Sequence, residues 1–189
     1  VIVLAAGRGE RFRAAGGQTG KLEAMLAGRS VLAHVLDAVQ RSGLDCHVVR
    51  PQHLAHTPGA GMGDSIACGV AATASAAGWL ILPADLPLVQ ASSLLAVARA
   101  LHDHTVVVPL CAGQRGHPVG FGPQTRDALL ALRGDGGGLN HEHTGAAVEQ
   151  IGPMHQMPVI GLAVQVTGVL AHGRDHDAVG QGQWAARRI

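Results

Sequence analysis

The chain has 189 residues, a length that suits one compact domain with a sizeable core better than two. Apolar residues make up 47%, charged ones 14%, and the net charge is +1. That balance excludes a disordered polyelectrolyte and gives no reason to expect a nucleic acid or a membrane surface as partner. Aromatic residues are only 2%, with no Tyr, too few for a base-stacking platform.

The first predicted element is the continuous apolar run Val1–Ala6, as expected of a strand buried on both faces of a parallel sheet. It opens without Met, so a few native residues are expected before it. Residues 7–21 form a loop with glycines at 7, 9, 16, 17 and 20. Ser30 is placed to cap a helix whose apolar stripe is Val31, Leu32, Val35, Leu36 and Val39, and Gly43 is placed to stop it. A short strand is expected over Cys46–Arg50, then a loose stretch to Gly61, then a buried Ala-rich helix from Asp64 to Ala77.

Trp79–Leu82 reads as the next strand and ends at Pro83-Ala-Asp-Leu-Pro87. Ser92 or Ser93 opens a helix through Leu101, Thr105–Leu110 is a strand, residues 113–117 a loop, Pro118–Phe121 a short strand and Thr125–Leu132 a helix. This alternation predicts right-handed crossovers and an α/β fold with a doubly wound, mostly parallel sheet between helical layers. In such sheets ligands bind beyond the carboxyl ends of the strands, at the switch point. That rule singles out residues 7–21 and Pro83–Pro87.

The apolar stretches fall far short of the roughly 20 residues that cross a bilayer, and no basic leader segment opens the chain. Cys46, Cys68 and Cys111 are odd in number and widely spaced, without a CxxC pair, so neither a disulfide framework nor a thiolate zinc site is expected. A reduced cytoplasm is the expected compartment.

Of the 14 basic residues, only Lys21 is a lysine. It closes a loop whose glycine-rich backbone can turn N–H groups toward a phosphate chain, with Arg8, Arg11 and Lys21 to offset the charge. Two familiar phosphate motifs fail here. Phe12 stands where a GxGxxG fingerprint needs its third glycine, and Ala15 and Leu22 break a Walker A pattern around Gly20-Lys21.

Asp85 follows the strand Trp79–Leu82, where a carboxylate is well placed either to hold Mg²⁺ together with substrate phosphates or to cap the next helix. Gly61-Met-Gly-Asp-Ser-Ile66 leads into a helix whose amides, with Ser65, can meet a ribose or phosphate oxygen; Asp64 or Ser65 can equally be a plain N-cap. Gly113-Gln-Arg-Gly-His117 gathers donors in a turn that suits an anionic or heteroaromatic ligand or simply solvent. His141-Glu-His143 and His172…His176 have ligand-like spacings but lack an obvious third ligand. No GxSxG elbow occurs, so a hydrolase triad has no support.

In order along the chain come Leu4-Ala-Ala-Gly with Arg11 and Lys21, Gly-Met-Gly-x-Ser, Pro-Ala-Asp-Leu-Pro, Gly-Gln-Arg-Gly-His-Pro and Gly134-Asp135-x-Gly137. This series resembles the MobA/MocA-like nucleotidyltransferases, enzymes of a GT-A-like, three-layer α/β/α fold. It is most similar to their molybdenum cofactor cytidylyltransferase branch. The resemblance implies a nucleotidyltransferase core over residues 1–139, with 140–189 a divergent C-terminal part of the same domain.

It implies a nucleotide site formed by Leu4, Ala5, Ala6, Gly7, Arg8, Gly9, Arg11, Lys21, Gly63, Asp64 and Ser65. Lys21, Arg11 and Asp85 would be catalytic, with Asp85 the Mg²⁺ ligand. Gln114, Arg115, Gly116 and His117 would face the pterin. Ala6 stands where guanylyltransferase relatives tend to carry Gly, which tilts the nucleotide toward CTP. The implied reaction joins CMP to the phosphate of molybdopterin cofactor with loss of pyrophosphate, and a recipient molybdoenzyme is the implied onward partner.

Three features depart from the pattern. The first loop is longer than the compact family pattern, Gly9 occupies a position often held by Ser, and Asp175-His-Asp177 is followed by Ala-Val-Gly instead of Thr-Pro. The alternatives are therefore a GTP-dependent guanylyltransferase, a sugar-phosphate nucleotidyltransferase, and a non-catalytic molybdopterin carrier motivated by the altered C-terminus. A Rossmann dehydrogenase, weakened by Phe12, stands further off.

Overall fold

The computed structural model describes residues 1–7, 9, 12, 14, 20–111, 114–134, 150–151 and 166–167, without the side chains of Cys111, Gln114, Gln150, Ile151, Val166 and Thr167. Strand β1 (Ile2–Leu4) is followed by a hairpin of two-residue strands, β2 (Met25–Leu26) and β3 (Arg29–Ser30), and by helix α1 (Val31–Ser42). The α1 boundaries are the ones predicted. Ser30 Oγ accepts from the Ala33 N–H, and Gly43 ends the helix in the left-handed region at φ 68°.

Strand β4 (His47–Val49), helix α2 (Met62–Ala72), strand β5 (Trp79–Pro83), helix α3 (Ala91–Ala100) and strand β6 (Val106–Cys111) continue the alternation. Then come β7 (Gln114–Arg115), β8 (Val119–Phe121) and helix α4 (Arg126–Leu130), with the two-residue strands β9 (Gln150–Ile151) and β10 (Val166–Thr167) last. No described helix is long and apolar enough to cross a membrane.

The central sheet runs β4-β1-β5-β8-β6, and β7, β9 and β10 add to β6. Strand β1 pairs in parallel with both β4 and β5, whereas β8 lies antiparallel between β5 and β6. The sheet is therefore mixed, with β4, β1, β5 and β6 sharing one direction. Side chains alternate cleanly across it. Ile2, Val49, Trp79, Ile81 and Val108 meet Ile66 and Val70 of α2 and Leu129 of α4 on one face. Val3, Leu80, Leu82 and Val107 meet Val35 and Val39 of α1 and Leu94 and Val97 of α3 on the other. Two helical layers thus enclose the sheet, in accord with the predicted three-layer α/β fold.

Four expectations need correction, the first being the last helix, expected over Thr125–Leu132 but confined to Arg126–Leu130 after a 3-10 turn at Pro123–Thr125. Helix α2 starts at Met62 and ends at Ala72, not over Asp64–Ala77. Thr73 stops it: its hydroxyl donates to Gly69 O and accepts from the buried Trp79 indole, which turns the chain back toward β5. Helix α3 begins at Ala91 after an N-cap at Gln90, one residue before Ser92. Part of the segment read as loop, Gln114–Arg115, pairs as a strand with Leu110–Cys111.

Helix α2 lies unusually close to the sheet at Gly69. A Cβ there would sit 2.5 Å from Ile2 Cγ2 and 3.1 Å from Val49 Cγ2. Gly69→Val should therefore overpack the α2–sheet contact and destabilise the fold by roughly 1–3 kcal/mol. Chemical denaturation measures this, and an unchanged midpoint would show that α2 can shift freely.

Candidate functional site

The chain leaves β1 for β4 on one side and later returns to β5 on the other, which puts the switch point between β1 and β5. Leu4 pairs with Pro83 there, and the Ala84 N–H donates to Leu4 O at 3.1 Å. A cleft of about 650 Å³ opens at these strand ends. Leu4, Ala6, Gly7, Gly9, Lys21, Pro83, Ala84 and Asp85 line one part of it, and Gly61, Met62 and Ser65 at the start of α2 line another. Both segments singled out by the switch-point rule thus contribute to one cavity.

Lys21 and Asp85, 64 residues apart in sequence, meet directly: the Lys21 ammonium donates to Asp85 Oδ2. Each is held from behind. The Glu23 and Ala24 N–H groups donate to Gly20 O at 2.9 and 3.1 Å, folding a turn around Lys21. The Val31 and Leu32 N–H groups donate to Ala24 O and Leu22 O, tying that turn to the start of α1. Gly9, at φ 61°, packs its backbone against the lysine; a Cβ there would lie 3.5 Å from Lys21 Cβ. Asp85 follows the buried Ala84, whose backbone is anchored on β1.

His117 reaches the same end of the sheet. It follows β7, and the Gly116 N–H donates to Pro109 O at 2.6 Å. Burial pushes the imidazole pKa below its ordinary value, and the Asp85 carboxylate pulls the other way. Burial wins, so the ring is largely neutral at pH 7. Arg115 is exposed on the neighbouring strand.

Gly63 and Asp64 are placed differently from a simple nucleotide turn. The Asp64 carboxylate accepts from the Gly61 N–H at 2.9 Å and from the Gly134 N–H at 2.7 Å. The Gly63 N–H donates to Gly134 O at 2.9 Å. A Cβ on Gly63 would lie 2.9 Å from Arg133 N. Two of the amides near the α2 start are therefore engaged within the protein, and Asp64, at the third helical position, clasps the 133–134 turn to the rim of the cleft. Ser65 is buried, with Oγ donating to Gly61 O at 3.1 Å.

The two N–H groups, Gly61 first and Gly134 second, hold the Asp64 pKa below the usual carboxylate range. A carboxyl with a depressed folded pKa contributes stability above its unfolded pKa and loses it as pH falls through the folded value. Asp64→Asn should therefore lower the thermal midpoint at pH 7, with the gap to wild type closing in strong acid. An equal gap at both pH values would remove this clasp as the cause.

Ala5 is buried in the core instead of lining the cleft, and its N–H donates to Val49 O at 2.8 Å. Phe12, which the sequence offered only as a missing glycine, lines the cavity together with Met62 and Leu22. Arg8, Arg11, Asp135, Gly137, the histidine pairs at 141/143 and 172/176, Asp175 and Asp177 lie outside the described residues, as does the side chain of Gln114. Among the described residues no group of three or more His, Cys, Asp or Glu is arranged to hold a metal ion.

The chain is similar in fold to several solved structures. Rv0371c from Mycobacterium tuberculosis H37Rv, in complex with manganese, shares 22% identity at a TM-score of 0.58, with 80% of this chain and 85% of that one covered. A nucleotidyl transferase from Methanothermobacter shares 25% at a TM-score of 0.54, covering 68% and 73%. Molybdopterin-guanine dinucleotide biosynthesis protein A from Archaeoglobus fulgidus shares 17% at 0.50, covering 68% and 69%. No curated protein matches the chain. The MobA-like NTP transferase domain, however, matches residues 1–148. The chain therefore belongs to the MobA-like NTP transferase family, a family of nucleotidyltransferases.

Proposed function

We propose that this chain transfers CMP from CTP to the phosphate of molybdopterin cofactor, with release of pyrophosphate and dependence on Mg²⁺. The observation that carries the reading is the meeting of Lys21 and Asp85 in the switch-point cleft, beside the Leu4-Ala-Ala-Gly turn. A cation and an anion on one wall suit a substrate that is itself a metal–polyphosphate pair.

A divalent metal fits the donor set. Asp85 is one carboxylate, about one-third exposed, with no protein cage around it among the described residues. Mg²⁺ is commonly held by one or two carboxylates plus substrate phosphates and waters. The manganese complex of the mycobacterial protein supports a divalent requirement. When bound, such an ion neutralises phosphate charge and polarises the phosphorus under attack.

The chain's own residues do the remaining work. In this reading Leu4, Ala6, Gly7 and Gly9 form the backbone wall against the nucleotide, joined by Arg8, with Ala5 packed behind them in the core. Lys21 and Arg11 stabilise the negative charge that builds on the triphosphate as the bond to pyrophosphate breaks. Gly63, Asp64 and Ser65 set the far rim, Asp64 through its clasp on Gly134. Gln114, Arg115, Gly116 and His117 receive the pterin side, where a neutral imidazole at 117 can hydrogen-bond a heteroaromatic ring. The attacking phosphate is already anionic, so no general base is required; positioning dominates. In this reading residues 1–139 carry the core; beyond them, the described strands β9 and β10 pair with β6.

Ala6 supports CTP over GTP. The likeness to the Archaeoglobus guanine dinucleotide protein keeps GTP as the second reading. Calorimetric titration with CTP and GTP, each with and without Mg²⁺, tests both. Mg²⁺-dependent preference for CTP is the expected result, GTP preference moves the chain to the guanylyl branch, and binding of neither overturns the enzyme reading in favour of a carrier.

A further inference from the structure

We infer that Lys21 is a built-in competitor for the metal position on Asp85, so that divalent metal and nucleoside triphosphate must load together. This rests on the reading of Asp85 as the metal-binding carboxylate. The Lys21 ammonium already neutralises Asp85 through Oδ2. A divalent ion on that oxygen would stand a few ångströms from a third positive charge, and charges this close repel appreciably even at high dielectric.

The two partners differ in freedom. Asp85 continues a backbone fixed by the bond from the Ala84 N–H to Leu4 O, with Pro83 paired on β1. Lys21 carries its charge on a four-carbon stem, with 47% of the side chain exposed. Lysine is thus the partner that moves. Bare metal must displace it at a cost, whereas a triphosphate offers it new anionic oxygens in the same cleft. Transfer of the ammonium from carboxylate to phosphate frees Asp85, so each ligand strengthens binding of the other. The arrangement disfavours metal without nucleotide and keeps the carboxylate paired between turnovers.

The test is Mn²⁺ binding to the full chain without nucleotide, followed by electron paramagnetic resonance of free Mn²⁺, with folding checked by circular dichroism. Lys21→Met removes the charge and keeps the stem, and should tighten Mn²⁺ binding on the order of tenfold. Lys21→Arg keeps the charge and should stay close to wild type. Adding Asp85→Asn to Lys21→Met should abolish the gain. If Lys21→Met binds Mn²⁺ no better than wild type while Asp85→Asn weakens binding in both, the competition is overturned and Asp85 remains the metal residue. If Asp85→Asn changes binding in neither background, the competition and the metal role of Asp85 fall together.

Discussion

Replacing Asp85 with Asn is expected to cut Mg²⁺-dependent pyrophosphate release from CTP by roughly three orders of magnitude, the scale set by removing a preorganised charge from a phosphoryl-transfer site. The fold should hardly notice. Asp85 is about one-third exposed and Lys21 about half, and an ion pair that open is worth at most about 1 kcal/mol. Asparagine keeps the shape and loses only the charge that a hard cation needs. Turnover and thermal midpoint measured on the same preparation separate the two effects. Unchanged turnover would remove Asp85 from the mechanism, and a collapsed midpoint would make its role structural.

Lys21→Ala should weaken CTP binding in the presence of Mg²⁺ by about 1.5–3 kcal/mol, the usual worth of a charge-assisted hydrogen bond. That corresponds to roughly 10- to 150-fold in Kd. The direction is opposite to the tighter Mn²⁺ binding expected of Lys21→Met without nucleotide, and that opposition guards both results. A variant that merely misfolds would lose metal and nucleotide alike. Unaltered CTP affinity would mean that the glycine-rich loop serves another purpose.

What the sequence revealed follows the reach of its signals. The five main strands and the Ser30–Gly43 helix rest on local patterns: an apolar run, a stripe at helical spacing, a hydroxyl cap and a terminal glycine. The cleft followed from topology, because a strand order reversing beside β1 brings Leu4 and Pro83 together. The β2–β3 hairpin was silent. Its strands are two residues long, and its turn is Ala27-Gly28 at φ 47° and 80°, without the Asn-Gly or Asp-Gly that marks such turns. The end of α2 was misjudged because Ala74–Ala77 reads as helix, whereas the buried Trp79 indole bonded to Thr73 decides the matter. Asp64 was legible as a helix-start residue but not as a clasp, since Gly134 lies 70 residues further on. No local pattern carries such a pairing.

One strand has a consequence for synthesis. Strand β8 fills the gap between β5 and β6, yet both of its neighbours are made before it. A nascent chain that has not yet reached Val119 has no partner for one edge of Trp79–Pro83, whose first four residues are buried, and none for the facing edge of Val106–Cys111. Unpaired apolar edges of that kind invite pairing with other chains. Ribosome pausing or truncation just before residue 119 is therefore the point at which this protein is most prone to aggregate, and the three residues Val119–Phe121 close that window in one step.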